Sequence, residues 1–205
     1  MKRSGRLTRQ LTLLAFLSVA PLAGCASPSQ EAPQVTTGPK PVAAAPAPMP
    51  LDPAAAARLE RVRQSLEQGL DVNEADDGGR TPLMMAAFDG ITEVVALLLE
   101  HGARVDQRDG TGRTALMYAS SGPFYETVEL LLQHGASVNT ADTVESWTAL
   151  MFAAAEGHQP VVATLLSHGA DPGMADEDGD AAIEHARQRG QTSIVTLLES
   201  WPPGE

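Results

Sequence analysis

The sequence predicts an all-α fold built as a solenoid of stacked helical units, and three observations carry that expectation. The tripeptide His-Gly-Ala recurs at His101, His134 and His168, at spacings of 33 and 34 residues. Upstream of each, at a constant offset, stands a second anchor: Thr81-Pro82-Leu83-Met84, Thr114-Ala115-Leu116-Met117 and Thr148-Ala149-Leu150-Met151. Between the anchors run leucines, Leu97–Leu99, Leu130–Leu132 and Leu165–Leu166, in a chain with 43% apolar but only 4% aromatic residues. Alanine and leucine favour helices over a β-sandwich. A fixed period of this length marks units that cannot bury their leucines alone and must stack sideways.

The elements follow in chain order. Residues 1–24 carry Lys2, Arg3, Arg6 and Arg9, then an apolar run from Leu11 to Gly24 broken by Pro21. This is the layout of a signal peptide, and the run is too short for a comfortable membrane span of about 20 residues. Leu22-Ala23-Gly24-Cys25 resembles the lipobox of bacterial lipoproteins. The resemblance implies cleavage before Cys25, the only cysteine in the chain, and its acylation. Several acyl chains hold a protein at a membrane far better than one. Ala26 stands where an inner-membrane retention signal of that family has Asp, so the resemblance points to the outer membrane, facing the periplasm.

Residues 25–50 are expected to be the lipidated cysteine and a disordered linker. Pro39-Lys40-Pro41 and Pro46-Ala47-Pro48 typify a segment with little to bury. An extended proline-rich chain spans ~3.1 Å per residue, enough to hold a domain several nanometres from a surface.

The repeat domain is expected over 51–201, followed by a tail at 202–205. Its period and residues resemble the ankyrin repeat over roughly 53–201. The resemblance implies helix-turn-helix repeats with finger loops at 76–108, 109–141, 142–175 and 176–201, after an N-terminal half repeat at 53–75. Within that frame Thr81, Thr114 and Thr148 sit at helix N-caps, and Pro82 fits the first helical position. Ala86-Ala87 and Ala153-Ala154 let neighbouring helices approach. Gly102, Gly135 and Gly169 end each second helix where φ must be positive, and the histidines before them can meet the last carbonyls. Asp52-Pro53 would open a helix reaching about Gln68. The last repeat has Ala181-Ala182-Ile183-Glu184 in place of the threonine anchor and a more polar second helix, as a cap requires. Trp201 is expected to cover the end of the core.

The chain departs from the family at several points. The histidine of the family's TPLH motif is Met84, Met117 and Met151, so its bonds to backbone are expected to be lost. The third finger, Asp142–Trp147, has an extra residue and lacks the turn glycine, and Gly122 arrives one position early. Both loops are expected to be irregular.

Chemistry of the catalytic kind is not expected. Three of the five histidines occupy one slot of successive repeats, too far apart to share a metal. Asp176, Asp178 and Asp180 crowd one finger, but Gly179 comes too early for a calcium loop, and a solvated acidic finger is expected. No recognisable nucleophile, phosphate or dinucleotide motif occurs. Neither cofactor nor metal is expected, and the chain reads as a non-enzyme.

Charge excludes another class. Of 14 basic and 26 acidic residues, the first 24 positions hold four bases and no acid; 10 bases then face 26 acids, a net of −16. Nucleic-acid binding needs clustered Lys and Arg. The family resemblance instead implies a protein partner on a concave face of finger tips and first helices. Carried over by register, that face holds Arg80, Arg113, Trp147 and Asp180 at the fingers and Phe88-Asp89 and Glu156 at the helix ends. The candidate binding residues are Arg80, Phe88, Asp89, Arg113, Tyr118, Trp147 and Glu156. Phe88 and Trp147 are expected to be exposed; Tyr118 and Phe152 are expected to pack between first helices. The expected function is a monomeric, membrane-tethered adaptor in the bacterial envelope, or alternatively an inhibitory or immunity-type lipoprotein that neutralises a toxin or enzyme.

Overall fold

The computed structural model describes residues 53–201. Residues 1–52, on which the expected signal peptide, acylated Cys25 and linker fall, and the tail at 202–205 lie outside them. Among the described residues the regular structure is helical: α1 Pro53–Glu67, α2 Pro82–Phe88, α3 Thr92–Glu100, α4 Ala115–Ser120, α5 Tyr125–Gln133, α6 Ala149–Glu156, α7 Gln159–Ser167, α8 Ala182–Gln188 and α9 Thr192–Ser200. Helices α2, α4, α6 and α8 pack side by side as one layer, and α1, α3, α5, α7 and α9 as the other. Each first helix also packs on its own second helix. This is the all-α solenoid of stacked helix pairs that the repeat period predicted.

The threonine anchors start the first helices as expected, with an unforeseen partner. Thr81 Oγ1 accepts from the N–H of Met84 at 3.3 Å, and the N–H of Thr81 donates to Met84 Sδ at 3.4 Å. Thr148 and Met151 repeat both contacts. In these two repeats methionine sulfur thus takes a weak bond from the cap N–H, where the sequence suggested no partner. Thr114 makes no side-chain cap bond.

The second helices end on their histidines. Nδ1 of His101, His134 and His168 lies 2.8–2.9 Å from the carbonyl four residues earlier; a carbonyl only accepts, so Nδ1–H donates. Glycine follows in each case, with φ of 84 or 85° at Gly102, Gly135 and Gly169.

Leu83, Leu98, Leu116, Leu131, Leu150, Leu165 and Ile194 are fully buried in one continuous cluster running through the repeats. Each contributes roughly 1.5–3 kcal/mol by burial. Trp201 packs partly buried against the end of that cluster, and the outward residues of α9 are polar.

Three sets of bonds set the stacking. Finger joins finger through Gly110 N–H to Gly78 O, Thr143 N–H to Thr111 O and Glu177 N–H to Glu145 O, at 2.8–3.1 Å. Asn73, Asp106 and Asn139 each reach into the next repeat, accepting from the N–H of Arg104, Ser137 and Asp171 at 2.8–2.9 Å. Thr92 and Thr127 hydroxyls meet at 2.8 Å between α3 and α5.

Both suspect loops are irregular. Pro123 stands one period after Gly90, whose φ is +67°, a conformation proline cannot adopt. The Phe124 ring fills the space beside both glycines: a Cβ on Gly90 or Gly122 would lie 2.2 or 2.3 Å from it. In the third finger Ser146 takes φ +60°. The half repeat supplies α1 alone, which has no fully buried residue and touches the core through Leu59, Val62 and Leu66.

Candidate partner-binding face

The fingers and first helices form one face, and an aspartate column organises it. Asp76, Asp109, Asp142 and Asp176 each use Oδ1 to accept backbone N–H groups of their own finger at 2.8–3.3 Å. Each Oδ2 is then left to hold a side chain of the face. Asp76 takes Arg80 at 2.9 Å, Asp109 the Tyr118 hydroxyl at 2.6 Å, Asp142 the Arg113 Nε at 3.2 Å, and Asp176 the His185 Nε2 at 2.8 Å. Three of the four side chains held this way, Arg80, Arg113 and Tyr118, were candidates from the sequence; the aspartates were overlooked as a column, although their 33- and 34-residue spacing was there to find.

The column shapes the electrostatics. Burial pushes the carboxyls of Asp109, Asp142 and Asp176 up, but their hydrogen bonds outweigh it and hold all three below the usual range. Asp76 is lowered by the Arg80 backbone N–H and guanidinium. Burial and then the bond to Asp109 push the Tyr118 hydroxyl up to about 12.

A second column, Met85, Tyr118, Phe152 and His185, runs across the first helices. Phe88 meets Tyr118 edge-on at 6.1 Å, Arg113 lies over the Phe152 ring at 4.9 Å, and Trp147 packs between Phe152 at 5.0 Å and His185 at 4.4 Å.

The seven candidate residues therefore divide. Arg80, Phe88, Asp89 and Tyr118 line one cleft of about 360 Å³ together with Arg58, Met84 and Met85. Phe88 is 58% exposed and Met85 53%, so the expectation for Phe88 holds. Asp89 forms an ion pair with Arg58 of α1, a partner the repeat register did not reveal because α1 lies outside it. Arg113 is held by Asp142 and lies over the Phe152 ring. Trp147 is a correction: it is half-buried rather than exposed, held by the rings of Phe152 and His185. It lines a second cleft of about 270 Å³ with Glu145, Asp176, Glu177, Asp178 and Asp180. Glu156 pairs with Arg189 at 3.6 Å beside that cleft.

In the acidic finger Asp176 spends both oxygens on protein partners, and Asp180 Oδ2 accepts from Gln188 at 2.7 Å. Among the described residues no group of three or more His, Cys, Asp or Glu is placed to hold a metal ion. Cys25, the expected acylation site, lies outside the described residues.

A family model described as ankyrin repeats (3 copies) matches residues 54–142 and 140–201. No curated protein matches the chain.

Proposed function

The chain belongs to the ankyrin-repeat family, and from that premise we propose that it is a membrane-tethered adaptor that binds a protein partner in the bacterial envelope. Ankyrin repeats are a protein–protein interaction module, and in this reading the chain is a monomer without enzymatic activity. One observation carries the choice of surface: Phe88 and Met85, both more than half exposed, flank an apolar cleft on the first-helix face. Large exposed apolar side chains clustered on a rigid scaffold are typical of binding hot spots. Attachment is assigned to an acylated Cys25, with residues 26–50 as the spacer, on the outer membrane facing the periplasm. Among the described residues no helix is long and apolar enough to cross a membrane.

The test has two arms. Full-length chain carrying Met85→Ala and Phe88→Ala should unfold at nearly the original temperature yet lose its partner in pull-downs from envelope extract. Undiminished capture would rule this face out. Metabolic labelling with palmitate should mark the native chain and not a Cys25→Ala variant; equal labelling would remove the tether.

A second reading is an inhibitory or immunity-type lipoprotein neutralising a toxin or enzyme. The carboxylate-rich second cleft favours it where the target is basic. Deletion of the chain should then sensitise cells in competition with a neighbouring strain.

A further inference from the structure

Resting on the proposed binding face, we infer that its occupant is an extended polypeptide segment with a bulky apolar side chain at one end and arginine or lysine about six residues away, lying in one direction along the first helices. The direction comes from a difference between the two ends of the face. In the cleft at the α2–α4 end, Arg58 and Arg80 are already paired with Asp89 and Asp76. What this end offers a ligand is the apolar surface of Met85, Phe88 and Tyr118.

The opposite end, at α6 and α8, is built differently. Trp147 lines it, and the carboxylates of Glu145, Glu177 and Asp178 have no cationic partner there. Two bases also line this cleft, but His185 is bonded to Asp176 and Arg189 pairs with Glu156 at 3.6 Å. Charge along the domain follows the same gradient. Residues 53–141 hold seven arginines and thirteen acids, whereas residues 142–201 hold two arginines and ten acids. A basic side chain reaching this end meets unpaired carboxylates beside an aromatic ring, a favourable setting for Lys or Arg. An acidic one meets repulsion.

The spacing follows from the helix layer. Adjacent packed helices lie about 8–10 Å apart, and two steps separate the clefts, so their centres are roughly 20 Å apart. An extended chain advances about 3.3 Å per residue, which gives about six residues between the two anchors.

Fluorescence anisotropy on the full chain with labelled twelve-residue synthetic peptides tests this. The probe carries one Trp and, six residues on, two adjacent Arg; controls replace Arg with Glu, shorten the spacing to three, or omit the Trp. The Arg probe should bind about tenfold more tightly than the Glu control and lose that margin at high salt. Glu145→Gln with Asp178→Asn should weaken the Arg probe about tenfold and leave a Trp-only peptide unchanged. Equal binding of the Arg and Glu peptides would overturn the inference, as would indifference to spacing. So would a rise in affinity when Pro46, Pro48 and Pro50 of the full chain are changed to Ser, which would make the upstream segment the occupant. Sedimentation showing a dimer abolished by Phe88→Ala would give the groove to a second copy. If the peptides fail while envelope capture still depends on Met85 and Phe88, this inference falls and the adaptor reading stands; if both fail, the face itself is wrong.

Discussion

Ser146 and Tyr118 show how single residues on the binding face are held. Ser146 sits at φ +60°, where a side chain costs about 1–2 kcal/mol. Glycine removes that strain but adds unfolded-state entropy of roughly 0.5–1 kcal/mol. Ser146→Gly should therefore stabilise the protein by about 0.5–1 kcal/mol, seen as a rise of a few degrees in a calorimetric scan; a lower transition would show that the strain is not there. Tyr118, one of two tyrosines, is raised to about 12 by burial and by Asp109. A raised value favours the neutral form in the folded state. The stability it contributes is complete below 10, the unfolded value, and fades as pH climbs through 12. Ultraviolet titration of phenolate should show this tyrosine ionising late. Asp109→Asn should bring it earlier without restoring 10, because burial persists.

At the scale of the helix, the repeats look equal in sequence and are not equal in structure. Thr81 and Thr148 cap α2 and α6, whereas Thr114, followed by the same Ala-Leu-Met as Thr148, makes no such bond. Thr148→Ala should cost about 1 kcal/mol in urea unfolding, and Thr114→Ala less than half of that; equal losses would mean that both threonines act by packing alone. The anchors, leucines and terminal glycines were legible because their chemistry is local: a cap or a positive φ acts within its own turn. What escaped depends on neighbours. Methionine sulfur as an acceptor, though local, is a weak partner that residue type does not announce, and the Phe124 ring beside Gly90 and the pairing of Asp89 with Arg58 join segments that repeat spacing does not relate. Trp147 was misjudged for the same reason, since its slot was evident but the rings of Phe152 and His185 that cover it lie on other helices.

For the whole molecule, the aspartate column ties folding to pH. The carboxyls of Asp76, Asp109, Asp142 and Asp176 all lie below their ordinary value of 3.8. Lowered values mean that the charged form is favoured in the folded state. Their contribution is complete above 3.8 and is lost as pH falls through the lower folded values. Because the fingers are bonded in series, the loss should be felt along the array. Melting temperature followed from neutral pH down to about pH 2 should hold until about pH 4 and then drop. Asp142→Asn with Asp109→Asn should lower the neutral plateau and flatten the drop. A profile of unchanged shape would mean that the finger carboxylates do not govern acid unfolding. The aspartates were as periodic as the histidines, and Asp176 was read only as part of an acidic finger, because their shared role depends on both oxygens of each carboxylate finding different partners, which a one-dimensional repeat does not display.

The solitary helix α1 has a mechanical consequence. Pulling on the upstream chain would enter the folded domain at Pro53, and the first element to take the strain is the one with no fully buried residue. Such a helix should peel from α3 at low force while the later helix pairs remain folded. Once the Arg58–Asp89 bridge gives way, the cleft would lose its Arg58 wall while Met85, Phe88 and Tyr118 stay in place on α2 and α4.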